Sequence, residues 1–223
     1  MKIANWNIER LKHKAKLNSI TNLLEELNAD ILVLTETDSR VQLSNYKFCF
    51  STPNLIEIAP DYYLPTENRV SIYTNFELVR IFESYDKYTA LCVELKTELG
   101  NLIVYGTIIG IYGNRHENFK TALSKQLIEF DRLSAESNFC VIGDYNISFS
   151  DNYYFTSFGR DELKKSFSKN AITILTKDRT ECIDHIAISE NFLVDIETEI
   201  DEWNYDKKLS DHKGIWVDFK KYN

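Results

Sequence analysis

Apolar residues in this chain come in short runs, most of them four to eight residues long, and polar side chains gather where several of the runs end. Residues 1–11, 31–35, 46–50, 70–74, 78–82, 90–95, 102–109, 139–142, 183–188, 193–200 and 214–219 are rich in β-branched, aromatic and other apolar residues, and each run predicts a strand. Two stretches have helical spacing instead. Leu17, Ile20, Leu23, Leu24 and Leu27 form one, and Phe119, Leu123, Leu127 and Phe130 form the other, each predicting a helix that lays an apolar stripe on a sheet. Successive strands with one long helix per half predict two packed sheets with helices outside. No repeat, low-complexity tract or Pro/Gly-rich linker interrupts the chain, and at this length one domain and two are equally open.

Five of the run ends carry chemistry: Asn5-Trp6-Asn7-Ile8-Glu9, Thr35-Glu36, Gly143-Asp144-Tyr145-Asn146, Ile183-Asp184-His185 and Ser210-Asp211-His212. A strand that drops its terminal polar side chains at the rim of a sheet can bring residues from opposite ends of the chain together. Such a cluster holds the five carboxylates of Glu9, Glu36, Asp144, Asp184 and Asp211 beside Asn7, Asn146 and His212. Carboxylates so placed need a counter-charge. A hard divalent cation, with its preference for oxygen ligands and its open positions for a phosphate, meets that need and points to phosphoryl transfer.

In these residues, and in their order, the chain resembles the endonuclease/exonuclease/phosphatase superfamily, which includes exonuclease III-like and deoxyribonuclease I-like enzymes. The resemblance runs over residues 2–219. It implies an α/β fold, a four-layer α/β/β/α sandwich of two packed, mostly antiparallel or mixed sheets flanked by helices, with residues 1–223 as one domain. It also implies a hydrolase of phosphoester bonds that uses Mg2+ or Mn2+. Carried over residue by residue, it makes Asp144 the group that orients or deprotonates the attacking water and Asn146 a hydrogen-bond partner of phosphoryl oxygens. Asp184 pairs with His212, fixing its tautomer and raising its pKa so that the far nitrogen can present a proton. Glu36 is the main metal ligand, with Asp211, Glu9 and Asn7 completing the shell directly or through water. The alternative for Asn7 is a strand-end cap, and Gly-Asp-Tyr-Asn, taken alone, reads as a turn.

One position departs from the family pattern. After Thr107, where relatives carry a His or Tyr, this chain has Ile108, so a phosphate donor is either missing or supplied by Tyr112, Asn114, Arg115 or His116. His185 reads as structural, because strand neighbours face opposite sides of a sheet. His13 and His116 read as surface residues.

Charge and cysteines narrow the setting. The formal net charge is −8, which argues against the broad positive face of a high-affinity duplex binder. Local basic groups remain: Arg10, Lys12, Lys14 and Lys16; Arg160, Lys164, Lys165 and Lys169; and Lys177 with Arg179. Residues 190–206 are acidic without Lys or Arg and stand against them, and each basic group, taken separately, reads first as a solvated face. Cys49, Cys92, Cys140 and Cys182 each stand alone beside apolar residues and read as buried, reduced thiols. With no membrane span and no signal-peptide core, a cytoplasmic protein is expected.

The substrate is left among alternatives. Tyr153, Tyr154, Phe155 and Phe158, mixed with basic residues, either stack on bases or fill a sheet edge. Trp203 and Tyr205 are either a substrate-facing wedge or packing. A nuclease or nucleotide phosphodiesterase, with Arg115, Lys177, Arg179 and Trp203 as substrate contacts, stands first. A phosphatase or phosphodiesterase for a small molecule or lipid head group stands second, and a catalytically silent binding module third.

Overall fold

In the computed structural model, which describes residues 1–12 and 14–222, the chain forms β1 (Lys2–Asn7), α1 (Leu17–Leu27), β2 (Ile31–Asp38), β3 (Phe48–Ser51), β4 (Glu67–Thr74) and β5 (Glu77–Phe82). There follow β6 (Ala90–Thr97), β7 (Gly100–Ile108), α2 (Phe119–Ser134), β8 (Asn138–Asp144), α3 (Ser157–Lys169) and β9 (Ile172–Ile174). The chain ends in β10 (Asp184–Ser189), β11 (Ile196–Trp203) and β12 (Gly214–Lys221).

The strands make two six-stranded sheets, ordered β11-β12-β1-β2-β4-β3 and β5-β6-β7-β8-β10-β9. Two neighbouring pairs are parallel, β1 with β2 and β7 with β8. Each is joined by a helical crossover, α1 or α2, as parallel pairing requires. Ile20 and Leu24 of α1 are buried with Ala4, Trp6, Leu32 and Leu34 on the outer side of the first sheet. Phe119, Leu123 and Phe130 of α2 and Leu163 and Phe167 of α3 are buried with Ile103, Tyr105 and Val141 of the second. The layers are therefore α/β/β/α, with mixed sheets.

Strand alternation builds the middle layer and also ends it. Ile3, Val33, Val70, Val104, Ile142, Ile186 and Ile215 meet between the sheets in one apolar cluster. Two residues along, the same faces turn polar: Ile3 leads to Asn5 and Asn7, Val33 to Thr35, Ile142 to Asp144, and Ile186 back to Asp184. Because β10 runs antiparallel to β8, its first residue, Asp184, pairs with the last residue of β8, Asp144. Because β12 runs antiparallel to β1, the segment before it, 210–212, arrives beside the end of β1. Motifs at strand ends and strand starts thus share one rim.

Several expectations change. A third helix, α3, occupies the stretch around Arg160, Lys164, Lys165 and Lys169. Its apolar stripe is only Leu163 and Phe167 at i, i+4 amid charges, with Gly159 in its first turn, too thin for periodicity to reveal. Lys169 pairs with Asp131 at 2.6 Å and Arg160 binds the carbonyls of Ser148 and Asp151, so part of this group is structural. The first strand stops at Asn7, and residues 9–11 form a tight turn. Short β9 was not expected. Cys92, Cys140 and Cys182 are buried free thiols, but Cys49 is exposed, since β3 is the edge of its sheet and ends its pairing there. His116 is exposed, as expected; His13 lies outside the described residues. No helix of the described residues is long and apolar enough to cross a membrane.

Candidate active site

Backbone geometry delivers Asp144. Gly143 has φ of 145°, and a Cβ there would stand 1.9 Å from the carbonyl oxygen of Thr107 on the adjacent strand, so only glycine lets β8 lie this close to β7. Asp144 follows, 3% exposed. Its Oδ1 accepts from the Asn146 N–H (2.8 Å), and its Oδ2 accepts from Asn7 Nδ2 (3.2 Å), an amide reaching across from the opposite sheet. Burial, opposed by His212 and reinforced by Asp184 and Glu36, pushes the Asp144 carboxyl up to about 7.

The second group is an ion pair. His212 Nδ1 donates to Asp184 Oδ2 at 2.5 Å, and Asn5 Nδ2 donates to Asp184 Oδ1 at 3.3 Å. Burial works against a charge on His212, but Asp184, by charge and hydrogen bond, with Asp144 and Asp211 behind it, lifts its pKa to about 10. Its other nitrogen, Nε2, stands free of Asp184 and 3.6 Å from Asp211 Oδ1. Ser210, 1% exposed, shows why the loop carries a serine: its hydroxyl donates to Asn7 O (2.6 Å) and accepts from the His212 N–H (3.2 Å). The loop is thereby clamped to β1.

Around the acids the structure sorts the expected residues. Asn7 Nδ2 also reaches Glu36 Oε1 at 3.5 Å, and Glu36, with φ of 43°, is partly exposed at the rim. Glu9 Oε2 accepts from the Asp211 N–H (3.0 Å) and Oε1 meets Lys12 (3.3 Å). Burial raises and these bonds outweigh it, so the Glu9 carboxyl titrates below its ordinary value. Asp211 goes the other way, raised by burial and by Glu9 and Glu36 against the pull of His212 and Lys12. Asn146 is bonded inward: its Nδ2 donates to the carbonyls of Ile109 (3.0 Å) and Gly110 (3.3 Å).

The chemistry of these donors fits a hard cation. Asn7, Glu9, Glu36, Asp144 and Asp211 offer oxygen, and Asp144 and Asp211, raised first by burial, each also face other carboxylates of the cluster. Among the described residues, Asp144, Asp184 and His212 also bring one potential ligand atom each within 4.8 Å of one another. Their closest contact is already a carboxylate–imidazole bond, between Asp184 and His212.

The remaining expected contacts face solvent or are held by other partners. Ile108 is buried and pairs with Asp144 across β7 and β8, adding no polar group there. Of the four loop residues after it, Tyr112, Arg115 and His116 are exposed, and Asn114 is buried with its Nδ2 on Asn146 O (2.6 Å). Lys177 is exposed beside Lys164 in a depression lined by α3 and β9. Arg179 holds Ile200 O at 2.6 Å, bracing β11. Trp203 lies across Gly214 and packs edge to face on Trp6, ring centres 5.8 Å apart. His185 is structural, as expected: it turns away from the site, bonds Thr176 Oγ1 and Ile147 O at 2.8 Å each, and burial lowers its pKa to about 4.

Two tyrosines that the sequence left between stacking and packing, and two lysines it did not single out, complete the surface. A cavity of about 310 Å3 opens beside Asn146, Asp184, Asp211 and His212, walled by Tyr153, Tyr154, Lys207 and Lys213. Lys207 Nζ meets Tyr153 OH at 3.0 Å across two loops. Neither lysine lies in a motif, and no local pattern could have marked them.

No curated protein matches the chain by sequence. Among solved structures, it is similar to the 3′ phosphatase NExo from Neisseria, solved with a product DNA hairpin, at 18% identity and a TM-score of 0.70, with 99% of each chain covered. It is also similar to an endonuclease/exonuclease/phosphatase protein from Beutenbergia cavernae at 14% identity and a TM-score of 0.72, covering 99% of this chain and 71% of that one. At these identities the likeness is one of fold. The sequence itself matches the profile described as the Endonuclease/Exonuclease/phosphatase family over residues 4–212, and by that match the chain belongs to the family.

Proposed function

We propose that this phosphoester hydrolase is a divalent-cation-dependent enzyme acting on nucleic acid or nucleotides. The reading rests chiefly on one observation: a buried carboxylate, Asp144, held by Asn7 and the Asn146 N–H beside the Asp184–His212 pair. In this reading Asp144 takes the proton of an attacking water, a role suited to a carboxyl raised to about 7. His212, kept cationic by Asp184, donates from Nε2 to the phosphoryl oxygens as charge builds. Asn7 holds Asp144 and Glu36 in register, and Asn146 fixes the loop that shapes the site. Glu36, Asp211 and Glu9 would hold Mg2+ or Mn2+, which when bound supplies charge neutralisation at the phosphoryl and leaving oxygens.

Nucleic acid is favoured by the cavity at His212, whose two tyrosines and two lysines suit a base and a phosphate. The likeness to a DNA 3′ phosphatase along the full length of both chains agrees. A second reading, a small phosphoester, is supported by the size of the same cavity, which is near the lower end for small-molecule sites. A panel of DNA and RNA ends, nucleotides, and sugar and lipid phosphates, run with Mg2+, Mn2+ and EDTA, separates them. Hydrolysis of nucleic-acid termini that EDTA abolishes is expected; turnover that persists in EDTA would end the metal reading.

Two outcomes belong with this panel. Glu36→Ala should lose metal affinity and activity together, read by titration calorimetry with Mn2+; unchanged binding would move the ligand role to Asp211 and Glu9. On a nucleic-acid substrate, kcat/KM should fall as salt rises, because phosphate contacts release counterions. Neutralising Lys207 and Lys213 should flatten that slope and raise KM more than it lowers kcat. A flat salt profile beside brisk cleavage of a sugar phosphate would favour the small substrate.

A further inference from the structure

Arg10 sits in an unusual place for a basic side chain near a metal site. It lies in a turn where three successive non-glycine residues, Glu9, Arg10 and Leu11, have φ of 48°, 54° and 49°, a left-handed conformation that L side chains adopt at a steric cost. The turn carries the guanidinium back over the end of β2. Its Nε stands 3.6 Å from Glu36 Oε2 and its Nη1 3.8 Å from Glu67 Oε2. The guanidinium carbon is 5.5 Å from the ring centre of Tyr62 and 5.3 Å from that of Tyr63, within cation–π range of both.

Arg10 therefore has two seats. Both contacts are ionic and longer than a hydrogen bond, but Glu36 is partly exposed at the rim, so its contact is the one open to exchange. Toward Glu67 Arg10 is more enclosed, for Glu67 is only 7% exposed and is itself fixed by the Leu64 N–H at 3.0 Å, while Tyr63 is half-buried and Tyr62 faces solvent. A divalent cation ligated by Glu36 would bring a second positive charge to the carboxylate that Arg10 faces. A guanidinium 3.6 Å from that carboxylate would then face a like charge at close range.

We propose that Arg10 is a resident counter-ion of the cation site: it neutralises Glu36 in the metal-free protein and gives Glu36 up when a divalent cation binds, staying on Glu67, Tyr62 and Tyr63. Arg10 thus weakens metal binding and holds the rim of β2 together without metal. The inference rests on Glu36 being a metal ligand.

The test is titration calorimetry of Mn2+ into wild type, Arg10→Gln and Arg10→Lys, with thermal unfolding of each in EDTA and in saturating Mn2+. Arg10→Gln should bind Mn2+ about 3- to 10-fold more tightly, melt lower in EDTA, and gain more from Mn2+ than wild type does. Arg10→Lys, which keeps the charge, should stay nearer the wild type. Arg10→Met, which keeps an apolar stem against the tyrosines, replaces Arg10→Gln if that variant does not fold. Equal or weaker Mn2+ binding by the neutral variant, with wild type binding normally, overturns this inference alone. Absence of Mn2+ binding by wild type overturns the metal reading of the site as well.

Discussion

Asp144→Asn is expected to lower kcat by about 10²- to 10⁴-fold and yet leave the metal-free protein at least as stable as the wild type. The carboxyl of Asp144 is 3% exposed, and its pKa is raised to about 7. A group raised in the folded state gives stability in its protonated form, full below the ordinary value of 3.8 and lost as pH rises through about 7. At pH 8 the wild type thus carries a buried charge at a cost on the order of a few kcal/mol, which the carboxamide removes. Asparagine cannot accept from both the Asn146 N–H and Asn7 Nδ2, so one bond is lost, at about 1 kcal/mol. Melting in EDTA at pH 8 should therefore be unchanged or higher in the variant. Activity within a few-fold of wild type on the true substrate would remove Asp144 from the proton-handling role.

The second large effect is expected at the Asp184–His212 pair. His212→Gln should cost about 10²- to 10³-fold in kcat, the range for losing one charge-stabilising donor. Asp184→Asn should do something more specific. With His212 at about 10 because of Asp184, activity should rise through the titration of Asp144, at or below pH 7 once a cation is bound, and fall only as pH passes about 10. Removing the Asp184 charge should bring the alkaline limb down toward the ordinary histidine value of 6.5, narrowing the profile from its basic side. The same pair links to stability: a raised histidine stabilises fully below 6.5, and the contribution is lost as pH rises through about 10. Wild-type melting temperature should accordingly decline between pH 8 and 10, and in Asp184→Asn that decline should shrink. A base limb that stays put in Asp184→Asn would show that the pair does not set it.

Most strand runs and the rim of the site were legible in the sequence because alternation is local. Ile3, Asn5 and Asn7, or Cys140, Ile142 and Asp144, state within a few residues which face is buried and where it turns polar. The motifs at 5–9, 35–36, 143–146, 183–185 and 210–212 therefore named Asn7, Glu36, Asp144, Asp184, Asp211 and His212 as neighbours before any fold was known. Where the pattern was thin it failed: α3 has two core residues at i, i+4 and a charged remainder, and its burial comes from the sheet beneath it. Only tertiary structure decided which partners each polar group took. Asn5 bonds Asp184 and Asn7 bonds Asp144 across sheets from 179 and 137 residues away. Glu9 turned to the Asp211 N–H, Arg10 settled between Glu36 and Glu67, and Lys207 and Lys213 reached the cavity at His212 while Lys177 and Arg179 did not line it. A sequence pattern determines which side of an element is buried, since that depends on its own period. Which charge meets which depends on distances between elements, and those exist only once the sheets have packed.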